Sequence, residues 1–167
     1  MGTEQPRTIE ALILTLVAEG VEFVVVGGMA GVLHGASIVT RDLDIVHHRT
    51  PPNVDRLLGV LGRIEAVTRA DPRRLRPSAD WLTGRGHVLL DTLAGPLDVL
   101  CELDGGRDYT WLLDRSESMP IGEVPVRVVD LPTLIELKTL AGRPKDRLAI
   151  PVLLATLEER IRREGLP

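Results

Sequence analysis

The chain has 167 residues, a formal charge of −4 at pH 7 and an apolar content of 44%, which is enough for a buried core and excludes a disordered protein. The aromatic residues are Phe23, Tyr109, Trp81 and Trp111, so the core must be aliphatic and a single-strand nucleic-acid platform built on stacking is disfavoured. The acidic balance also gives no basic field over the whole surface that would predict nonspecific nucleic-acid binding.

The first part of the chain predicts helices alternating with short strands. An amphipathic helix should begin after Thr8 and stop at Gly20, because apolar residues recur between them at i, i+3, i+4 spacing. The next expected elements are a strand over 23–26, a brief helix over 29–34, a strand over 43–46 and a helix beginning at Pro51–Pro52. This alternation favours an α/β fold.

Between Arg69 and Gly86 the apolar periodicity ends and the sequence is rich in Arg, Pro, Asp and Gly, which predicts a surface loop. The elements expected after it are strands over 87–90 and 97–100, a helical stretch over 109–113, a strand over 124–129, a helix from Pro132 and a helix from about Pro144. The first two of these strands should pair antiparallel. Pro151 lies inside the last helix and should kink it.

The single cysteine, Cys101, excludes an internal disulfide and a thiolate metal cluster, which suits the reducing cytoplasm. The first apolar stretch is interrupted by Thr15 and Glu19 and has no basic leader, so we expect neither a signal peptide nor a membrane span.

Two acids, Asp42 and Asp44, lie two positions apart on a predicted strand, so both carboxylates project from one face. Two acids that close repel each other unless a cation lies between them, and all-oxygen ligation suits a hard ion such as Mg²⁺. The alternative is a strand end exposed to solvent, where two acids need no cation.

The pair Gly27–Gly28 ends the preceding strand and lets backbone approach a ligand closely, while the short helix after it would point amides at an anion. Pairing of the two strands would bring the acids beside this turn. Asp98, inside an otherwise apolar strand, is the favoured third acid, because a charge there should be paired, exposed at a cleft or bound to metal. Asp91 is the rival third acid.

Two sequence motifs resemble a known family. Gly27–Gly28, Asp42-Leu43-Asp44-Ile45 and the later Leu97-Asp98-Val99 resemble the signature of the nucleotidyltransferase superfamily that shares the polymerase β palm. The segments 130–138 and 142–146 resemble the AbiEii-type toxin branch and its minimal-nucleotidyltransferase relatives. The resemblance covers nearly the whole chain. It implies one domain with a small mixed sheet flanked by helices, in which residues 1–130 form a palm-like core and 131–167 a C-terminal helical part.

The resemblance also implies a reaction, in which a hydroxyl attacks the α-phosphate of a nucleoside triphosphate such as ATP and pyrophosphate leaves. Asp42 and Asp44 would hold two Mg²⁺ ions, and Asp98 would ligate the catalytic ion and help to deprotonate the hydroxyl. Gly27 and Gly28 would hold the β and γ phosphates through backbone amides.

Further residues are expected to bind the nucleotide. Lys138 and Lys145 are the only lysines among 20 basic residues, and a compact ammonium is a suitable point charge for phosphate. Thr40 and Arg41, beside the first acid, are also assigned to nucleotide binding. Asp146 matches a supporting or basic carboxylate of the branch, although an acid in the first turn of a helix is equally favoured by the dipole alone.

Two positions depart from the family pattern: Ile38, where relatives often have Arg, and Ala149, where they often have Asp. Arg41 is expected to compensate for the first departure. The implied acceptor is tRNA or a partner protein in a toxin–antitoxin setting, with a small-molecule hydroxyl such as an aminoglycoside as the alternative enzyme. A noncatalytic antitoxin or binding module of the same fold is the alternative from another class.

Other polar residues are assigned structural positions. The four histidines, His34, His47, His48 and His87, show no metal-ligand spacing. The arginines of the central loop could meet the phosphates of an RNA acceptor, but such a run is more often a solvated face, which we favour. These arginines are Arg69, Arg73, Arg74, Arg76 and Arg85.

Overall fold

The computed structural model describes residues 4–165, which form a seven-stranded mixed sheet flanked by helices. The strands are β1 (Phe23–Val26), β2 (Leu43–His47), β3 (Val67–Thr68), β4 (His87–Thr92), β5 (Gly95–Leu100), β6 (Ser116–Ile121) and β7 (Val124–Val129). The helices are α1 (Ile9–Ala18), α2 (Gly27–Leu33), α3 (Pro51–Arg63), α4 (Ala79–Thr83), α5 (Tyr109–Leu113), α6 (Leu131–Ala141) and α7 (Pro144–Glu164).

The strands lie in the order β3-β4-β5-β2-β1-β7-β6. β1 pairs antiparallel with β2 and parallel with β7, and β2 pairs parallel with β5. The other neighbours, including the predicted pair β4 and β5, are antiparallel. The predicted fold class, a mixed sheet flanked by helices, is therefore confirmed.

Local sequence signals explain where the helices begin and end. The Thr8 side chain accepts a hydrogen bond from the amide of Ala11 at 3.1 Å, which caps α1. Asp130 does the same for α6, accepting from the amide of Thr133 at 2.8 Å. α6 stops at Gly142, whose φ of +61° lies in the left-handed region that glycine adopts without strain.

The core is aliphatic, as the composition requires. Its central layer comes from the middle strands, on which Val24, Ile45, Leu97 and Val128 are fully buried. Each such side chain contributes about 1.5–3 kcal/mol by leaving water. Burial of these strands fixes the sheet that carries the polar residues described below.

Three elements differ from the sequence-based expectation. The predicted loop after Arg69 contains α4, which buries Leu82. The short β3 and the edge strand β6 also escaped prediction, because β3 has two residues and β6 is polar and contains Pro120. An edge strand tolerates proline, since one side of it makes no ladder hydrogen bonds. The sheet is consequently wider than the small one expected.

The observed bounds of α2 and α7 can be compared with those predicted. α2 begins at Gly27 rather than two residues later, so the glycine pair belongs to the helix. α7 begins at Pro144 as expected and runs through Pro151, and the kink there stays a prediction. Over residues 4–165, no helix is long and apolar enough to cross a membrane.

Candidate active site

Strand register brings the predicted acids together. Asp44 on β2 lies opposite Val26 in the antiparallel pair with β1, which ends at the glycine turn. On its other side β2 runs parallel to β5, and there Asp44 is the register neighbour of Asp98. Asp42 lies two residues before Asp44, directly before the start of β2, and lines the same cleft. Three carboxylates thus face one cleft beside the end of β1.

Gly27 lies directly against the acids. Its φ is +67°, and a Cβ added to it would stand 2.1 Å from Oδ2 of Asp44, so only glycine fits. Gly28 is less constrained, because an added Cβ would lie 3.2 Å from Cβ and Oγ1 of Thr40. The requirement for glycine at this turn therefore comes chiefly from the Asp44 carboxylate.

The cleft has a volume of about 580 Å³ and lies between the acids and the C-terminal helices. The basic side chains that line it are Arg69, Arg107, Lys138, Arg143 and Lys145. Its apolar lining includes Leu89, Leu103, Leu134, Leu137 and Leu140. A ligand with several negative charges and an apolar or planar part matches this mixture.

Burial is the largest of several causes that together raise the pKa of the Asp44 carboxyl to about 7. The other causes that raise it are the charge of Asp98, a hydrogen bond with Asp98 and the charge of Asp42, while the charge of Lys145 opposes the rise. Oδ1 of Asp44 is buried and has no hydrogen-bond partner within residues 4–165. A cation beside this orphaned oxygen would relieve both the repulsion and the missing contact.

The donor set fits Mg²⁺, since Asp42, Asp44 and Asp98 offer only carboxylate oxygens. The arrangement is nevertheless open: within the described part of the chain, no three His, Cys, Asp or Glu side chains are grouped closely enough to hold one ion. Oδ1 of Asp98 is instead 2.5 Å from Nη2 of Arg69. The acids would have to draw together around an ion.

Asp146 lies in the first turn of α7 and is almost fully buried. It accepts hydrogen bonds from Nζ of Lys138 at 3.3 Å and from Nε of Arg143 at 2.6 Å. Burial alone would raise its pKa, but the hydrogen bonds from Arg143 and Lys138 outweigh burial and lower it. It also accepts a hydrogen bond from the backbone amide of Arg143. Asp146 therefore both caps the first turn of α7 and holds two cationic side chains at the cleft.

Among the residues assigned from sequence, seven line the cleft: Gly27, Asp42, Asp44, Asp98, Lys138, Lys145 and Asp146. Gly28, Thr40 and Arg41 do not line it. Thr40 is 3.4 Å from backbone atoms of Asp42 and shapes the turn before β2, while Arg41 is exposed. The expected compensation of Ile38 by Arg41 gains no support from this position.

The two departures from the family pattern are packing residues. Ile38 and Leu153 both approach Gly31, where an added Cβ would lie 3.1 Å from each side chain. Ala149 is partly buried against the same core. Ile38 and Leu153 of α7 therefore pack near the same residue of α2, in an apolar place that a charged side chain would have to avoid.

Sequence reasoning missed three arginines that line the cleft: Arg69, Arg107 and Arg143. The sequence groups Arg69 with the solvent-facing arginines, and what distinguishes it is its position directly after β3, a strand that the sequence does not predict. Arg143 lies within the segment 142–146 that carries the family resemblance, but the sequence assigns it no role. The rival acid Asp91 does not line the cleft; it contacts Arg74 and Arg69 instead.

The other arginines of the central loop are exposed and paired with acids. Arg73 pairs with Asp71, Arg74 with Asp91, Arg76 with Glu65 and Arg85 with Glu102. These contacts match a solvated face, and they neutralise much of the charge that an RNA acceptor would meet.

His87 lines the cleft, whereas His34, His47 and His48 do not. Nε2 of His34, His47 and His87 lies 2.8, 2.7 and 3.2 Å from the backbone oxygens of Val129, Leu82 and Glu102 respectively. His48 stacks on Tyr109, with ring centroids 4.6 Å apart.

No protein-family profile matches the chain, and no curated protein sequence matches it significantly. Solved structures do match the chain. ANT(2″)-Ia in complex with adenylyl-2″-tobramycin has a TM-score of 0.59 and 15% identity, over 92% of each chain. A candidate nucleotidyltransferase from Thermotoga maritima has a TM-score of 0.54 and 16% identity, over 86% of this chain and 88% of that one.

An antigenic nucleotidyltransferase-like protein from Paracoccidioides brasiliensis has a TM-score of 0.51 and 14% identity, over 90% of this chain and 73% of that one. At these identities the likeness shows the fold, which is that of nucleotidyltransferases. It does not distinguish the AbiEii-type branch.

Proposed function

We propose that the protein is a Mg²⁺-dependent nucleotidyltransferase, which moves a nucleoside monophosphate from a nucleoside triphosphate to a hydroxyl acceptor. One observation carries the proposal: the register that sets Asp44 beside Asp98, with Oδ2 of Asp44 against the backbone of Gly27. A glycine turn for phosphate and carboxylates for a cation are thereby only a few ångströms apart. A solvent-exposed strand end would need neither the buried carboxylate nor the glycine.

The basic residues across the cleft are suited to the triphosphate. Lys138 and Arg143 are held by the buried Asp146, so their charges are fixed before a ligand arrives. Lys145 is exposed at the same end of α7 and lies near enough to Asp44 to lower its pKa. We assign Lys138, Lys145 and Arg143 to the phosphates and Asp146 to their positioning.

Bound at Asp42, Asp44 and Asp98, two Mg²⁺ ions would neutralise charge on the attacking and leaving oxygens. In our assignment the Asp98 carboxylate accepts the proton of the acceptor hydroxyl. The acceptor oxygen then bonds to the α-phosphorus, the bond from that phosphorus to the β-phosphate oxygen breaks, and pyrophosphate carries away the electron pair. Gly27, whose backbone lies against Oδ2 of Asp44, would present its amide to the phosphates.

The acceptor is a separate part of the proposal. The sequence resemblance suggests tRNA or a partner protein, with toxin–antitoxin function. The pairing of Arg73, Arg74, Arg76 and Arg85 with acids favours a small-molecule hydroxyl over RNA, and ANT(2″)-Ia, solved with an adenylylated tobramycin, shares the fold over 92% of both chains.

The single buried cysteine, Cys101, supports a cytoplasmic location.

The test is to incubate the protein with each α-labelled nucleoside triphosphate and Mg²⁺, in parallel with total tRNA, with cell lysate and with an aminoglycoside panel. We expect label on one acceptor class and none with Asp44→Asn. Asp114→Asn, an exposed acid at the end of α5, is the matched control and should act like wild type. Equal null results for wild type and Asp44→Asn, with no Mg²⁺-dependent nucleotide binding, would remove the enzyme assignment.

A noncatalytic nucleotide-binding module or antitoxin is the second candidate, and one contact favours it. Arg69 occupies Oδ1 of Asp98, the oxygen that the catalytic assignment needs for an ion or a proton. Such a module would bind nucleoside triphosphate with the wild-type acids but transfer no label to any acceptor. Nucleotide binding without transfer under all the conditions above would therefore favour this candidate.

A further inference from the structure

Arg69 is the one central-loop arginine of the described chain that reaches the acids. Its side chain is 27% exposed, against 56–80% for Arg73, Arg74, Arg76 and Arg85. Its Nη2 donates to Oδ1 of Asp98 at 2.5 Å and to the backbone oxygen of Leu90 at 3.0 Å. The guanidinium is therefore held at the edge of the cleft by two contacts, one to an acid and one to the sheet.

A second acid, Asp91, lies beside the guanidinium group of Arg69 and is more exposed than Asp98. Oδ1 of Asp91 lies 3.4 Å from Nε of Arg69, while Oδ2 of Asp91 accepts from Arg74 at 3.0 Å. The backbone of Arg69 is fixed, because its amide donates to the oxygen of Leu89 at 2.8 Å. Only the end of the side chain has to move for Arg69 to leave Asp98 and rest on Asp91 alone.

The charge balance of the cleft gives this contact a role. Three carboxylates in one cleft repel each other, and the positive charge of Arg69 lies directly on one of them. A divalent cation would seek the same carboxylate oxygens, and a guanidinium at 2.5 Å from Oδ1 of Asp98 takes part of that site. Arg69 and a cation are thus competitors for Asp98.

We propose that Arg69 is the internal counter-ion of the acid cluster: it holds Asp98 in the metal-free protein, yields to an entering divalent cation and transfers its contact to Asp91. This inference rests on the proposed metal site. It makes Arg69 a positioning residue that sets cation affinity, and Asp91 its partner in the loaded state. The acids then remain ordered without metal, at the expense of weaker cation binding.

Equilibrium binding of Mn²⁺, followed by the electron paramagnetic resonance of the free ion, tests this without any turnover. Arg69→Met should bind Mn²⁺ about tenfold more tightly than wild type, because a competing and repelling charge is gone. Arg69→Lys keeps the charge, but its ammonium ends one bond short of the Nη2 position that contacts Asp98 and the Leu90 oxygen, so it should bind Mn²⁺ about threefold more tightly. Arg73→Met, on the same loop and paired only with Asp71, should leave the affinity unchanged.

The transfer to Asp91 is tested by a double-mutant cycle. In the wild-type background Asp91→Asn should weaken Mn²⁺ binding about threefold or more, since the released arginine loses its second partner. In the Arg69→Met background the same change should have little effect. Equal effects in both backgrounds would show that Asp91 acts only through its charge and would refute the transfer.

The outcomes separate this inference from the proposed function. If wild type binds Mn²⁺ and the folded Arg69 variants bind it equally or more weakly, the counter-ion role is wrong and the metal site stands. Binding by Arg69→Met where wild type shows none would support the role strongly. If neither protein binds Mn²⁺, and Asp44→Asn is indistinguishable from both, the metal site and this inference fall together.

Discussion

At Gly27 the backbone and a carboxylate approach so closely that no side chain fits between them. An added Cβ would lie 2.1 Å from Oδ2 of Asp44, about 1 Å inside normal contact, and the φ of +67° disfavours any L side chain. Residue identity here is set by two independent constraints, one steric and one conformational.

Gly27→Ala should therefore displace the Asp44 carboxylate and reduce nucleotidyl transfer by about 100-fold, the usual cost of misplacing a reacting group by about 1 Å. It should also destabilise the fold by about 1–3 kcal/mol because of the positive φ. Gly59→Ala is the control, since Gly59 lies within α3 with open space around it and alanine should stabilise that helix by about 0.5–1 kcal/mol. Wild-type transfer by Gly27→Ala would contradict the close contact.

Asp146 combines burial with two cationic partners, and its effect on stability should depend on pH. Its folded pKa is lowered below its usual value of 3.8, because hydrogen bonds from Arg143 and Lys138 outweigh burial. A lowered pKa means that the group stabilises the folded state above the unfolded pKa, and that this stabilisation is lost as pH falls through the folded pKa.

Asp146→Asn should accordingly lower the free energy of unfolding by about 1–3 kcal/mol near neutral pH and by much less near pH 2.5. Urea unfolding of wild type and variant at both pH values measures the difference. Asp114→Asn, an exposed acid at the end of α5, should show no comparable loss. A deficit of Asp146→Asn that stays constant with pH would argue for altered packing rather than a lost ion pair.

At the scale of elements, α7 carries Lys145 and Asp146 at its beginning and is attached to the sheet near its end. Arg160 donates to both carboxylate oxygens of Glu117 on β6, at 2.7 and 3.1 Å. The same guanidinium lies 3.3 Å from Nδ1 of His34, whose Nε2 is bonded to Val129. α7 is thus joined to α2, β6 and β7 at a distance from the cleft.

Arg160→Met should destabilise the protein by about 1 kcal/mol and speed amide exchange in the last turns of α7, because a bidentate ion pair to another element is lost. Arg163→Met removes only an exposed pair within the helix, to Glu159, and should cost less than about 0.5 kcal/mol. Hydrogen exchange read by mass spectrometry compares the two. Equal protection of α7 in both variants would show that Arg160 does not anchor the helix.

Most elements were predictable because their apolar spacing is set by burial on one face. β1, β7, α1 and α5 were expected at or within a residue or two of their observed bounds. β6 escaped because an edge strand needs neither high β propensity nor freedom from proline, so Ser116–Ile121 carries no strand signal of its own. Local propensity says little about an element whose stability comes from a neighbouring strand.

At the scale of the whole molecule, the acids could be predicted but their electrostatic partners could not. Asp42, Asp44 and Asp98 stand out in sequence because charges inside apolar strands need a reason. Arg69 comes from a loop that looks solvated, and only the pairing of β3 with β4 at one edge of the sheet brings it to Asp98. Strand register and contacts between residues far apart in the sequence depend on the tertiary fold, so no local sequence pattern predicts them.

The fate of the label from two forms of one nucleoside triphosphate tests the central claim most directly. With Mg²⁺ and the acceptor present, α-labelled substrate should mark the acceptor and γ-labelled substrate should release its label as pyrophosphate, and Asp44→Asn should do neither. Transfer of the γ label to the acceptor, or equal transfer by wild type and Asp44→Asn, would contradict a nucleotidyl-transfer centre at Asp42, Asp44 and Asp98.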